Sequence, residues 1–497
     1  MADEYVDVLV VGAGISGIGA GWHLQRYCPG KSYAILEARD QLGGTWDLFR
    51  YPGVRSDSDM HTLGYSFKPW TKAKAIADGP AILDYLNETA DENDIRRHIR
   101  FGHRVLGASW SSEDAAWTIE AERGPDREPV RIRANFLFMC SGYYDYAAGY
   151  TPDFEGLADY RGEIVHPQKW SDAVDYAGKR VVVIGSGATA VTLIPELARD
   201  AAHVVMLQRS PTYMVSRPAE DGIANRLRAM LPARTAYRLT RWKNVLYGMY
   251  FFRMCRRSPA RVKAKLIDMV RATLPADYDV ETHFTPRYNP WDQRLCLVPD
   301  NDFFDALGEG SASIVTDRIE RFTERGIKLE SGRELEADMV VTATGLNLQF
   351  FGGATISVDG EAQNFGGKIA YKGMMYDDVP NFASSFGYTN ASWTLKADLT
   401  CAYVCRLLNH MDRTRTRIAT PRLADTGVEP EPWVDFSSGY FQRALDKLPK
   451  QGSKHPWRLH QNYARDILLL RYGKVDDGVM EFARPPATAR APLAQAA

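Results

Sequence analysis

Two glycine-rich turns constrain what this chain of 497 residues can fold into. The first reads GAGISG over residues 12–17, and the second reads GSGATA over residues 185–190. Each turn follows a short run of β-branched residues, precedes a segment with helical periodicity, and is followed by a further β-branched run. Because a helical crossover joins parallel strands, each unit predicts a parallel sheet with helices packed on it. The sequence therefore predicts an α/β fold built around two such units.

The glycines of both turns suit the binding of a dinucleotide. Gly12 permits a tight turn, Gly14 lets the backbone approach a pyrophosphate, and Gly17 allows the helix to pack closely on the strand. The N-terminus of the helix then offers N–H groups to the anion. In the second turn the matching positions are Gly185, Ser186, Gly187, Ala188, Thr189 and Ala190, and alanine is permitted at the last of them. We therefore interpret both units as Rossmann-like dinucleotide-binding domains.

The residues that end the second strand of each unit differ in charge. Glu37 lies about 20 residues after Gly17, where a carboxylate accepts hydrogen bonds from ribose hydroxyls. Gln208, Arg209 and Ser210 end the equivalent strand, where a guanidinium attracts a 2′-phosphate that a carboxylate would repel. The first unit is thus predicted to bind FAD and the second NADPH; the alternative is that Arg209 is only a surface charge. A chain with both sites can pass a hydride from nicotinamide to flavin, so we expect an oxidoreductase.

Composition excludes several other classes. The chain has 61 Lys and Arg residues against 62 Asp and Glu residues, so nucleic acid, which requires a basic excess, is not an expected partner. The six cysteines form no CxxC pair, and no metal site is predicted. The nearest candidate for a membrane span, residues 245–252, is too short to cross a membrane and precedes several arginines. We expect a cytoplasmic protein, and leave open both a weak association of this run with a membrane surface and the oligomeric state.

Two further motifs resemble a known family. Residues 43–57 contain Gly44, Trp46, the run Tyr51-Pro-Gly and Asp57, and this pattern resembles the flavin-side signature GxWxxxxYPGxxxD of Baeyer–Villiger monooxygenases. Residues 160–170, YRGEIVHPQKW, resemble their fingerprint FxGxxxHxxxW, with Tyr160 in place of Phe. The stretches at residues 45–53, 289–296 and 390–398 are similar to the ethionamide-activating subgroup of these enzymes.

The resemblance implies a reaction and a set of contacts. NADPH reduces FAD, O2 adds to form a C4a-peroxyflavin, and one oxygen atom enters a ketone to give an ester or lactone; thioether and thiocarbonyl sulfur is a further expected target. The cofactor contacts implied in addition to the glycine turns are Ser16, Thr45, Trp46, Asp47, Leu48, Arg55, Ser56, Asp57 and Val105.

The resemblance also implies two catalytic residues. Arg294 matches the active-site arginine of the family, and Asp57 matches the aspartate that holds this arginine near the flavin. A guanidinium suits the role because it stays protonated in a dry site and stabilises an oxyanion. Gln293 stands where the family often has a lysine that contacts the 2′-phosphate, so Arg209 must carry more of that contact. His166 is expected to be a hinge between the nucleotide domains rather than a general base.

The expected domain order follows from these assignments. The FAD-binding domain comprises residues 1–155 and 336–497, the second part including a C-terminal extension. Residues 156–214 and 286–335 form the NADPH-binding domain, and residues 215–285, rich in Arg, Leu, Met and Ala, form a helical insertion. A third strand is predicted over residues 337–344, and its resemblance to the family implies that the chain then returns to the FAD domain.

Two alternatives to Baeyer–Villiger oxygenation remain. The related N- and S-oxygenating flavin monooxygenases carry Tyr or Phe at the position of Trp170, which favours the Baeyer–Villiger branch, although Ser171 follows where Pro or Asp is usual. A non-catalytic flavin sensor would not need Asp57, Arg294 and a second nucleotide site together.

Overall fold

The computed structural model describes residues 4–293, 295–434 and 437–484. A large mixed sheet forms the centre of the first domain. Its parallel part contains, in spatial order, the strands Ile99–Arg100, Tyr33–Leu36, Glu4–Val11, Glu128–Met139 and Phe382–Ser384. The last of these strands comes from the far end of the chain, so the first domain is assembled from two separate parts of the sequence.

The strand Glu128–Met139 belongs to two parts of this sheet. Its second half is buried on both faces within the parallel part, and its first half, where exposed and buried residues alternate, pairs with an antiparallel extension. The strands of this extension are, in order, Ala116–Arg123, His103–Ser111, Thr355–Val358 and Glu361–Ala362. All of these neighbours are antiparallel except His103–Ser111 and Thr355–Val358, which pair in parallel. The extension brings the strand that contains Val105 to the side of the sheet next to the first glycine turn.

Helices cover the parallel part of the first sheet. The helix Ile15–Tyr27 packs against the long helix Trp393–Thr414, whose inner face is buried almost throughout. Helix Gly79–Glu92 begins at Asp78, whose side chain accepts a hydrogen bond from the Ala81 N–H. The shorter helices of this domain are Thr45–Leu48, Met60–Leu63, Gly439–Gln442 and Tyr463–Ile467.

A second, all-parallel sheet forms the centre of the other domain. Its strands are, in spatial order, Ala312–Thr316, His203–Gln208, Arg180–Ile184, Met339–Thr342 and Glu163–Val165. Helices Ala188–Leu197 and Asp302–Gly308 pack beside it. A meander of Ile319–Thr323, Gly326–Leu329 and Glu334–Glu336 and a pair of strands, Met214–Arg217 and Cys296–Pro299, complete this domain. The parallel sheets with their helices confirm the predicted α/β fold with two Rossmann-like domains.

One boundary differs from the sequence prediction. The strand Met339–Thr342 falls in the segment assigned to the first domain, yet it lies between Glu163–Val165 and Arg180–Ile184 in the second sheet. All four of its residues are buried, as expected for a central strand of a parallel sheet. The chain returns to the first domain only after this strand.

The segment between residues 222 and 284 is helical. Its helices are Gly222–Met230, Ala233–Arg257, Pro259–Arg271 and Val280–Phe284. The buried Arg241 donates hydrogen bonds to the carbonyl oxygens of His61 (2.9 Å) and Gly64 (2.7 Å). Although this segment interrupts the second domain in sequence, its longest helix thus packs on the first domain.

The chain crosses between the domains at a short antiparallel pair, Tyr144–Gly149 with Leu346–Leu348. Three further strand pairs belong to the C-terminal part: Ala370–Tyr371 with Met375–Tyr376, Ile418–Pro421 with Met480–Ala483, and Pro430–Pro432 with Lys450–Gly452. Among the described residues, no helix has both the length and the apolar character needed to cross a membrane.

Candidate active site

The first glycine turn is closed in by backbone on both sides. Gly12 has φ +102°, and a Cβ there would lie 2.6 Å from the carbonyl oxygen of Cys140. A Cβ on Gly17 would lie 1.8 Å from the carbonyl oxygen of Gly12. The helix can therefore start directly after the turn, at Ile15, only because these positions lack side chains. Its first N–H groups remain available to an anion.

Glu37 supports this turn from the neighbouring strand. One carboxylate oxygen accepts a hydrogen bond from the Ala13 N–H at 2.8 Å, and the other accepts one from the Arg39 N–H at 2.9 Å. Burial of the side chain raises the pKa of Glu37 despite these two bonds. The carboxylate therefore both fixes the glycine turn and presents acceptor lone pairs to the space beside it.

A cavity of about 600 Å³ opens at this turn. The sequence-predicted residues among its lining are Gly12, Gly14, Ser16, Glu37, Thr45, Trp46, Arg55, Ser56, Asp57 and Val105. Gly17 lies behind the turn. Asp47 and Leu48 are not part of the lining. The buried Asp47 carboxylate instead pairs with Arg39 and with Arg50, each at 2.6 Å, so it holds the loop rather than facing the cavity.

Sequence reasoning missed one wall of the cavity. This wall includes Tyr143, Tyr388 and Trp393, and the indole N–H of Trp393 donates to the Ser16 hydroxyl at 2.8 Å. Tyr143 stacks on Trp393 with ring centroids 5.4 Å apart. Tyr143 could have been found, because it follows the carboxyl end of a strand adjacent to the first one, where ligands bind in open parallel sheets. Tyr388 lies some 250 residues further on and carries no such signal, whereas Trp393 falls within residues 390–398, one of the stretches that resemble the ethionamide-activating subgroup.

These features fit FAD. The side-chain-free turn and helix N-terminus suit its pyrophosphate, the Glu37 carboxylate suits its ribose, and the aromatic and apolar wall suits the flat ring system. The residues at this site are thus able to hold the cofactor that the sequence predicts.

The second glycine turn begins with the same close contact as the first, but it is more open around its later residues. Gly185 has φ +137°, and a Cβ there would lie 2.4 Å from the Ala343 carbonyl oxygen, as at Gly12. By contrast, a Cβ on Gly187 would meet no atom within 4 Å. Ala190, at the third position, is fully buried with its methyl group accommodated. The Ser186 hydroxyl donates to the Ser210 carbonyl oxygen at 3.0 Å and so ties the turn to the end of the next strand.

The residues that end this next strand have separate environments. The Gln208 amide donates to the His283 carbonyl oxygen at 2.8 Å and to the Thr316 hydroxyl at 2.9 Å, and only 1% of the residue is exposed. Gln208 therefore ties the helical segment to the second sheet. Arg209 and Ser210 are exposed beside the turn.

The segment of residues 51–57 joins the two sites. The Tyr51 side chain lies beside Thr189 of the second turn, and burial raises the pKa of Tyr51 to about 12 although the contact with Thr189 lowers it. A Cβ on Gly53, which has φ +72°, would lie 2.4 Å from the Glu196 side chain on the adjoining helix. Arg55 forms an ion pair with Asp302 of the second domain. The YPG pattern thus marks the packed junction between the domains.

The predicted catalytic pair is placed only in part. Asp57 lines the cavity. Arg294 lies outside the described residues. The neighbouring Cys296 begins a strand, and its thiol is 3.9 Å from the Ser186 carbonyl oxygen in the second turn.

Two residues of the fingerprint belong to the second domain. His166 Nε2 is 3.1 Å from the Gly345 carbonyl oxygen, at the crossing between the domains, while its Nδ1 accepts from the Gln168 N–H. Burial lowers the pKa of His166. Trp170 is buried in the core beside Tyr176. Neither residue lines the cavity. These positions are compatible with a hinge role for His166.

The two sites define the class of protein. The first is closed and has an acidic residue at the end of its strand, the second is open and has a basic one, and a single packed segment joins them. This arrangement is that of a two-cofactor flavoprotein oxidoreductase. Comparison with known proteins identifies the family. Residues 72–248 match the family "Flavin-binding monooxygenase-like", and residues 10–78 match "NAD(P)-binding Rossmann-like domain".

The relatives span nearly the whole length of the chain. The FAD-containing monooxygenase EthA of Mycobacterium tuberculosis (strain ATCC 25618 / H37Rv) is 55% identical over 485 residues, which cover 97% of this chain and 99% of the relative. EthA of Mycolicibacterium smegmatis is 53% identical over 97% of this chain and 98% of its own. A solved structure described as an oxidized steroid monooxygenase bound to NADP is 25% identical, with a TM-score of 0.75, and the match covers 97% of this chain and 100% of that one.

The chain therefore belongs to the FAD-containing monooxygenases of the EthA type, within the Baeyer–Villiger family. This confirms the predicted family, the class of flavin-dependent monooxygenase, and the two cofactors, FAD and NADPH.

Proposed function

We propose that this monooxygenase inserts one oxygen atom of O2 into ketones to give esters or lactones, and that thioether and thiocarbonyl sulfur is a further target. The observation that carries the proposal is the convergence of Arg55, Ser56 and Asp57 on the cavity of the first glycine turn, at the junction with the second. A reductant on the second turn and an oxygen-activating group in the cavity would meet beside this segment. The relationship to EthA and to a steroid monooxygenase, both named as monooxygenases, supports the incorporation of one oxygen atom from O2.

Bound FAD would accept a hydride from NADPH and activate O2. The protein supplies the rest of the chemistry through position and charge. The turn N–H groups and Glu37 hold the pyrophosphate and ribose, and Arg209 holds the 2′-phosphate of NADPH. Tyr143, Trp46 and Trp393 place aromatic rings on the cavity wall, and such apolar surface strengthens the electrostatic interactions of groups beside it.

We assign the catalytic charge to Arg294 on its motif. A carbonyl under attack develops negative charge on its oxygen, and a fixed guanidinium stabilises that charge without changing its own protonation state. The Asp57 carboxylate at the cavity wall is suited to orient such a guanidinium through charge-assisted hydrogen bonds. The pair would act on the substrate oxygen, and the rearrangement that follows needs no further acid or base from the protein.

Replacement of Arg294 by alanine tests this assignment. The variant should bind FAD and be reduced by NADPH as the wild type is, but its ester yield should fall by at least about 100-fold, the size of effect seen when one oxyanion-stabilising group is lost. A matched control is Arg287→Ala, which removes an exposed arginine of the same segment. Normal ester formation by the Arg294 variant would refute the role.

A product assay separates the candidate reactions. Purified enzyme with NADPH, ¹⁸O2 and a panel of cyclic ketones, linear ketones and thioethers should give esters or lactones that carry one labelled oxygen atom. Sulfoxides without an ester from any ketone would instead favour S-oxygenation as the main activity. Consumption of NADPH with hydrogen peroxide as the sole product, for every substrate, would contradict both.

We further propose a weak association with anionic membrane surfaces. The helix Ala233–Arg257 exposes Leu239, Trp242, Leu246 and Tyr250 at helical spacing on one face, and exposed arginines follow near its end. Sedimentation with vesicles of anionic lipid should carry the protein down, and the double variant Leu246→Glu/Tyr250→Glu should stay in solution. Equal sedimentation of both proteins would contradict the proposal.

A further inference from the structure

Arg55 lines the cavity of the first domain, and its guanidinium pairs with a carboxylate of the second domain. Its guanidinium forms an ion pair with the Asp302 carboxylate, in which the longer of two contacts is 3.4 Å. The Arg55 side chain is 10% exposed and that of Asp302 is 22% exposed, so both groups are largely withdrawn from water. Such a pair is directional, because a carboxylate fixes the plane of the guanidinium that it binds.

The backbone of Arg55 is fixed by the first domain. The Ser56 N–H donates to the Ala77 carbonyl oxygen at 3.0 Å, and the Gly79 N–H donates to the Val54 carbonyl oxygen at 2.7 Å. These two bonds clamp the chain on either side of Arg55 to the start of the helix Gly79–Glu92. The side chain, in contrast, is long and flexible, and its orientation depends on what the guanidinium binds.

The position of Asp302 is fixed by the second domain. It is the first residue of the helix Asp302–Gly308, whose Phe303 and Phe304 are buried in the core of that domain. Just before it, the Asp300 carboxylate accepts a hydrogen bond from the Ala219 N–H at 2.9 Å. Any change in the relative position of the domains would therefore move the Asp302 carboxylate away from Arg55.

The ion pair is not needed to hold the domains together. The contact of Tyr51 with Thr189 and the close packing of Gly53 on Glu196 already join the same segment to the second domain. A partly buried ion pair also adds little net stability, because the cost of desolvating the charges offsets their attraction. What the pair does provide is a cation at the cavity wall whose direction is set by the NADPH-binding domain.

We propose that Asp302 is a positioning residue that orients the Arg55 guanidinium toward the nicotinamide end of bound NADPH. Hydride transfer then requires the second domain to be in place, since only then is Arg55 aligned. This proposal rests on the proposed function only in assuming that FAD and NADPH meet at this cavity. It does not depend on which substrate is oxygenated.

Anaerobic reduction of the flavin by NADPH tests the proposal without any ketone. Asp302→Asn should keep its FAD and its thermal midpoint, while its maximal rate of flavin reduction falls about tenfold, as expected when one charge-assisted bond no longer orients a group. Asp302→Glu, which restores the charge, should recover most of the rate. Asp305→Asn is the matched control, because Asp305 is exposed on the same helix and should change nothing.

A charge reversal separates positioning from simple attachment of the domains. The double variant Arg55→Asp/Asp302→Arg can re-form an ion pair but leaves no cation at position 55. We expect it to keep the wild-type thermal midpoint and to be as slow in flavin reduction as Asp302→Asn. If it also regains the rate, or if Asp302→Asn reduces flavin as fast as Asp305→Asn, the proposal is wrong. Failure to find any ester product would refute the proposed function but would leave these rates to be judged independently.

Discussion

The two glycine turns begin alike and then differ. Gly12 and Gly185 both adopt positive φ, and both lie against the carbonyl oxygen of the residue that follows a neighbouring strand. At the third position the first turn requires Gly17, because a Cβ would collide with the turn itself, whereas the second accommodates Ala190. The first turn is closed in by Glu37, and the second ends beside an exposed Arg209.

This difference suits two kinds of ligand. A cofactor that stays bound through many turnovers is best held in a closed site with buried polar contacts. A reductant that must be exchanged once in each catalytic cycle needs a more open site, where a surface charge supplies affinity without slowing release. The same supersecondary unit thus serves both purposes through a few side chains at its edges.

The largest effect is expected from adding a side chain at Gly17. Gly17→Ala should leave little or no FAD on the purified protein, because its methyl group would require the turn backbone to move, at a cost of about 1–3 kcal/mol or more. The matched change in the second turn, Ala190→Gly, should cost only about 0.5–1 kcal/mol and keep the flavin. Flavin content per chain measures both. Equal flavin content in the two variants would contradict the proposed difference between the turns.

A smaller, selective effect is expected at the open site. Arg209→Ala should raise the KM for NADPH about tenfold and leave that for NADH nearly unchanged, because only NADPH carries the 2′-phosphate. Steady-state NAD(P)H oxidation with saturating substrate provides both constants. A parallel rise in both would show that Arg209 contributes general surface charge rather than phosphate recognition.

The smallest effect is expected at His166, which lies where the chain crosses between the two domains. Burial lowers the pKa of His166 below its ordinary value of 6.5, so the fold favours the neutral ring. The stability that this contributes is present above about pH 6.5 and is lost as the pH falls toward the lowered value. The advantage of wild type over His166→Asn in thermal midpoint should therefore shrink between about pH 7.5 and about pH 5.5. A difference in thermal midpoint that does not change with pH would contradict a neutral His166 in the folded protein.

The sequence predicts those parts of the fold that depend on local pattern. The turns at Gly12 and Gly185 and the strands beside them are visible because each has a fixed spacing of glycines and β-branched residues. The helical segment is visible from its composition. The strand Met339–Thr342 is equally visible, yet its sheet could not be assigned, because a short buried strand does not encode which partners it pairs with.

The site is less predictable than the fold, for the same reason. Motifs place Arg55, Ser56 and Asp57 in the cavity, but the partner of Arg55 lies almost 250 residues away on another domain. Asp302 has no motif around it, and Tyr388 and Trp393 reach the cavity only through tertiary packing. Asp47 shows the reverse case, since its position within a motif suggested a cofactor contact while its carboxylate is engaged by two arginines.

Anaerobic stopped-flow reduction of the gel-filtered protein tests the central claim most directly, namely that one chain holds FAD in a closed site and NADPH in an open one. The protein should leave the column with its flavin. NADPH should then bleach that flavin at concentrations about tenfold lower than NADH requires. A flavin that is lost on the column, or one that is reduced equally well by both nucleotides, would contradict the account.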